Sequence, residues 1–130
     1  MDVDDASNTQ KFRLGMHGVG VWREGMEVGS PFTNGLVSNW DALEALWSYT
    51  LTDQMRLNAE DHPMMLTEPS FNTNNAREKM VELMFEKYKV PAVFLAKNAV
   101  LSSFAMARQT SLVVDIGHEN TVGKWHNVKF

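Results

Sequence analysis

From Ser38 onward the chain alternates between two hydrophobic rhythms. The stretch "SNWDALEALWSYTLTDQMRL" sets Leu43, Leu46, Trp47, Thr50 and Leu51 at the three-and-four spacing that stacks side chains on one helical face. Ser38 or Asn39 can cap this helix, and Asp41 and Glu44 sit near the positive end of its dipole. The short apolar run "HPMMLT" then reads as a buried strand. "NTNNAREKMVELMFEKYK" returns to the helical period, with Met80, Val81, Met84, Phe85 and Tyr88 forming a wide apolar face and Asn72, Thr73 or Asn74 as cap. "VPAVFLA" is a second strand, with Pro91 near its start, where a missing N–H is tolerated. "NAVLSSFAMAR" is a third helix expected to bury Val100, Leu101, Phe104 and Ala105, and "SLVVDI" is the last strand. Apolar strands alternating with amphipathic helices predict an α/β fold with parallel pairing under helical cover.

The flanks are different. Residues 1–10, "MDVDDASNTQ", are acidic and polar and predict a disordered tail. Residues 11–37 hold five of the eight glycines between Gly15 and Gly29 and read as loops and hairpins. Their "GVG" lacks the further glycine of a dinucleotide-binding loop. The α/β core spans 38–117, and 118–130 form a divergent C-terminal tail.

Composition narrows the function classes. A chain of 130 residues suits one domain, and its net charge of −4 disfavours a free-standing, sequence-specific nucleic-acid binder. There is no cysteine, which excludes disulfides and thiolate metal sites. No apolar run approaches the roughly 20 residues that span a bilayer, and the first residues lack a signal peptide's basic start and apolar core. The expectation is a soluble intracellular protein with no membrane contact.

Candidate chemistry is sparse. Asp115 would stand at the C-terminal end of a strand, where open α/β sheets place ligand-binding groups, and it is suited to holding Mg²⁺ through water. The alternative is that Asp115 starts a turn in which Gly117 supplies a positive φ. His17, His62, His118 and His126 share no metal-ligand spacing, although His118 and His126 would approach each other if the tail folded as a hairpin. His62, beside Pro63, suits a local hydrogen-bonding role. Ser102, Ser103 and Ser111 lack a nucleophile-elbow context, so no catalytic residue is assigned. Trp125 and Phe130 are either apolar anchors for another chain or disordered. The mixed charges of "AREKMVELMFEKYK" mark a solvated face that also suits docking.

Four stretches, in this order and spacing, carry a family resemblance: "NGLVSNWDALEALW", "HPMMLTEPSFNTNNAREKMVELMFEKY", "VPAVFLAKNAVLSSFA" and "SLVVDIG". The most specific letters are His62-Pro63, Leu66, Glu68, Asn72 and Arg77-Glu78-Lys79. Over about residues 25–117 the chain resembles the actin and actin-related family. "MEVGSPFTNGLVSNWD" and "ELMFEKYKVPAVFLAKN" look closer to its nuclear members than to conventional actin, and "MDVDDASNTQ" resembles the remnant of a polar insertion those members carry.

The resemblance implies part of an actin-like (ribonuclease H-like) lobe, in which ATP with Mg²⁺ is clamped between two phosphate loops. Nothing in residues 1–30 resembles the first loop. The second maps onto Asp115-Ile116-Gly117, so Asp115 and Gly117 are the only cofactor-binding candidates, and the small hydroxyl residue between them is lost. The position of the family's water-orienting Gln is Asn98 here, and the His of its second hairpin falls at Val122. Phosphoryl transfer needs a positioned water and phosphates ringed by donors. The expectation is therefore a non-enzymatic docking subunit of chromatin-remodelling or histone-acetyltransferase complexes in the nucleus. It would bind no cofactor, and its partners would be actin and a helical segment of a remodeller motor subunit. A residual ATP-binding module, a truncated cytoskeletal actin-like protein, located in the cytoplasm, and a product of truncation or splicing are the alternatives. A partial lobe of this kind would lean on a partner for stability.

Overall fold

The computed structural model describes residues 12–15 and 20–127. The tail expected over 1–10, together with His17 and Phe130, lies outside them. Contacts among the described residues divide the chain into two units. One draws on Met1–Thr33 with Val37–Asn58, the other on Asn34–Leu36 with Ala59–Phe130.

In the first unit the expected helix starts where its cap predicts. Asn39 is extended, its side-chain oxygen accepts from the Ala42 amide at 3.0 Å, and helix α1 runs Trp40–Ser48. The helix does not continue regularly to Leu57. It widens into a π-helical stretch, Tyr49–Gln54, and ends before Arg56, whose φ is +53°. Thr50 turns its hydroxyl back onto the Leu46 carbonyl at 2.7 Å, a bond that competes with the backbone ladder and bends helices. Leu43, Ala45 and Leu51 are buried, whereas Thr50, expected on the apolar face, is exposed. Gly15 has φ +73°, and a Cβ there would overlap the Tyr49 hydroxyl, so only glycine fits.

Strands β1 (Phe32–Thr33) and β2 (Leu36–Val37) form a minimal hairpin around Asn34 and Gly35. Both turn residues have positive φ, 52° and 77°, as Asn-Gly hairpin turns require.

The second unit contains the expected crossover. Strand β3 (Met64–Glu68) leads to helix α2 (Asn74–Glu82), capped by the Thr73 hydroxyl, and through a π-helical turn, Leu83–Lys87, to strand β4 (Val93–Lys97). β3 and β4 pair in parallel, with Met64 opposite Val93 and Glu68 opposite Lys97. Met84 and Val90 are buried. The opposite face of the pair is uncovered: Met65 and Phe94, register partners, are 60% and 62% exposed.

Helix α3 (Asn98–Ala105) follows β4 directly. Here the expected face is only partly turned inward: Val100 and Leu101 are half-buried. Ala99 and Ser103 are buried, while Phe104 and Ala105 are exposed. The small residues allow close packing, so bulk does not decide which face turns inward.

The final element departs furthest from expectation. Strand β5 (Thr110–Ile116) does not join β3 and β4. It pairs antiparallel with β6 (Thr121–Asn127), built from the chain expected to diverge. Parallel pairing among the described residues is therefore confined to β3 and β4. The hairpin sets Ser111, Val113, Asp115, Val122, Lys124 and His126 on one face. The other face carries Leu112, Val114, Ile116 and Trp125, all more than half exposed.

Candidate functional site

Asp115 is the penultimate residue of β5, exposed, and directly opposite Val122. The register thus places an isopropyl group where the resemblance implied an imidazole. Gly117 closes the turn. Its amide donates to the Asn120 carbonyl at 2.9 Å. Positive φ occurs at Gly15, Gly25 and Gly35 but not at Gly117. The alternative reading of Gly117 as a left-handed turn residue is therefore corrected: its lack of a side chain matters because a Cβ would lie 3.3 Å from the Asn120 carbonyl oxygen.

The β5–β6 turn docks on the Asn34–Gly35 turn. Asn120 Nδ2 donates to the Asn34 carbonyl at 2.9 Å, and the Gly35 amide donates to Glu119 Oε2 at 3.3 Å. Two glycine-rich turns are tied together over more than eighty residues of sequence. Neither Glu119 nor Asn120 carried a signal in the sequence, because each acts only through a contact distant along the chain.

A second cluster closes the C-terminal end of β3. Glu68 is buried, its Oε2 accepting from Asn72 Nδ2 at 2.9 Å and lying 3.1 Å from Arg77 Nε. That last contact is an ion pair without hydrogen-bond alignment, since Arg77 Nε counts no hydrogen-bond acceptor. Glu68 Oε1 is buried without a partner. At the head of α3, Asn98 Oδ1 is likewise buried and unpaired, and Lys97 before it supplies no side-chain cap. The signal for this cluster was present in the sequence: Glu68, Asn72 and Arg77 are family letters at fixed spacing. Their burial is what the sequence could not show.

Between α3 and the hairpin, Ser103 Oγ donates to the Ala99 carbonyl at 2.8 Å and lies 2.6 Å from Ser111 Oγ. His126, in register with Ser111, has a buried Nε2 without a partner. His118 lies in the turn and His126 near the far end of β6, so the two histidines do not converge. Among the described residues no three His, Asp or Glu side chains are grouped to hold a metal ion, and no helix is long and apolar enough to cross a membrane.

Comparison with known proteins decides the family. The actin family model matches residues 2–123. The chain belongs to the actin family. The match extends beyond the 25–117 expected from the motifs, taking in the N-terminal residues, the β5–β6 turn and the first three residues of β6. Actin-related protein 4 of Oryza sativa subsp. indica is 52% identical over 122 residues, covering 94% of this chain and 27% of that protein. Actin-related protein 4 of Arabidopsis thaliana is 48% identical over 112 residues, covering 86% of this chain and 25% of that protein. The protein of the same name from Yarrowia lipolytica is 44% identical over 122 residues, 89% of this chain and 27% of its own length. The chain thus spans about a quarter of the length of these relatives and is an actin-fold fragment resembling actin-related protein 4.

The candidate phosphate turn Asp115-Ile116-Gly117 offers a triphosphate a poor fit at its Gly117 amide. Phosphate-binding turns work by aiming unengaged backbone N–H groups at the anion. Here the Gly117 amide is spent on Asn120, and the Gly35 amide on the Glu119 carboxylate, which itself would repel a phosphate.

Proposed function

We propose that this actin-family chain serves as a non-catalytic docking subunit in a nuclear chromatin-remodelling or histone-acetyltransferase assembly. The observation that carries the reading is the contrast between its turns and its faces. The amides of Gly35 and Gly117 are satisfied internally, whereas Leu112, Val114, Ile116 and Trp125 line one exposed apolar face of the terminal hairpin. Soluble proteins seldom leave such a row uncovered unless it is an interaction surface. Similarity to actin-related protein 4 supports the nuclear setting and, as partners, actin and a helical segment of a motor subunit.

Affinity purification of the tagged chain from nuclear extract tests the proposal. Enrichment of remodeller or acetyltransferase subunits together with actin is the expected result; recovery of the chain alone contradicts it. Equilibrium titration with ATP and Mg²⁺ addresses the competing nucleotide-binding reading. No saturable binding is expected, and micromolar affinity would restore that alternative.

A further inference from the structure

We infer that the outer groove of helix α2 takes a lysine- or arginine-bearing amphipathic helix of a protein partner. The inference rests on the docking reading above and adds the place and the chemistry. The groove is an open one of about 590 Å³ between α2, the π-helical turn after it, and β4. Its apolar lining is Val81, Phe85 and Leu95, with Phe85 44% exposed. Glu78, Glu82 and Glu86 line the same groove. Spaced four residues apart, they run down one edge of the helix, and all three are exposed.

An apolar strip with one charged margin states what can cover it. The strip needs side chains from one stripe of an amphipathic segment, as when a helix lays its apolar face into a groove. The margin needs positive charge at matching four-residue intervals. Arg77, at the groove's end, does not neutralise it, because its guanidinium is turned to Glu68. Lys79 and Lys87 lie on the same segment but do not line the groove. An acidic segment or a nucleic acid would meet like charge on that margin. Leu95 also fixes the groove's floor to β4, so the surface exists only when the β3–α2–β4 crossover is folded.

The test uses the full chain and two synthetic helical peptides with identical leucine stripes, one carrying lysines on its polar face and the other glutamates. Binding is followed by fluorescence anisotropy and located by NMR shifts of amides in α2 and β4. The lysine peptide is expected to bind at least roughly tenfold more tightly than the glutamate peptide, and to weaken as salt is raised. The variant E78Q/E82Q/E86Q, whose changes are all at exposed positions, should lose that preference while still binding through the strip. F85S should weaken both peptides and leave the salt dependence intact. Equal binding of the two peptides, an unchanged preference in the triple variant, or shifts confined to the β5–β6 hairpin would each overturn the inference. Failure here is separable from failure of the docking reading: the triple variant recovering the same nuclear partners as the native chain would remove this groove and leave the proposed function standing.

Discussion

Arg77 Nε lies 3.1 Å from Glu68 Oε2, joining a glutamate side chain that is 5% exposed to an arginine side chain that is 41% exposed. The pair sits at the boundary of the interior, so its two ends are not equivalent. Arg77→Ala would leave the buried carboxylate with Asn72 as its remaining donor. The expected loss is about 1–3 kcal/mol, less than for a wholly buried pair because water already screens the arginine. Hydrogen exchange at the β3 amides reads this locally. Protection unchanged in the variant would show that the pair contributes nothing.

Gly35 and Gly117 make a contrasting pair of substitutions. At Gly35 an added Cβ would stand 3.0 Å from Asn120 Nδ2 and 3.3 Å from Phe71 Cζ, on a backbone with φ +77°. Strain and crowding add, and Gly35→Ala should cost about 1–3 kcal/mol. Gly117 has no positive φ, and its Cβ would meet one carbonyl at 3.3 Å, so Gly117→Ala should cost about 1 kcal/mol or less. Thermal shift of the two variants side by side gives the order, and equal shifts would refute it.

The exposed hairpin face predicts self-association of the isolated chain. Leu112 and Trp125 face each other across the register and are 61% and 64% exposed, with Ile116 at 78%. Leu112→Ser combined with Ile116→Lys removes much of the apolar row without touching a buried group. Sedimentation should show less association in the variant than in the native chain, with unchanged circular dichroism. If association is unaltered, another surface is responsible, Met65 and Phe94 being the next candidate.

These outcomes follow how far each element was legible in the sequence. Asn39 and Thr73 cap helices in the structure because capping is a local bond between a side chain and an amide three residues on. Strands β3 to β5 were legible from dense apolar runs. Strand β6 was not, since "TVGKWHN" alternates weakly and forms only against the partner that β5 supplies. The outward turn of Phe104 was hidden because three-and-four spacing identifies two neighbouring faces of α3, and packing chooses the one with small residues. The candidate site was half legible. Asp115 and Gly117 were found as letters, but the use of the Gly117 amide by Asn120, and the docking of Glu119 on Gly35, depend on the folded turns.

A short contact ties α3 to β5 through Ser103 and Ser111. Ser103 is 1% exposed, and its hydroxyl has one hydrogen. That hydrogen is directed to the Ala99 carbonyl at 2.8 Å. In the 2.6 Å contact between Ser103 Oγ and Ser111 Oγ, Ser111 must therefore be the donor. The two positions then respond unequally. Ser111→Ala removes a donor and leaves Ser103 with its bond to Ala99 intact, a loss of about 0.5–1.5 kcal/mol. Ser103→Ala removes the acceptor and leaves the half-buried Ser111 hydroxyl without it, so about 1–3 kcal/mol is expected. The double variant should lose less than the sum of the two, because removing both partners leaves nothing unpaired. Amide exchange across β5 and β6 measures all three, and strict additivity would show that the two hydroxyls are not bonded as described.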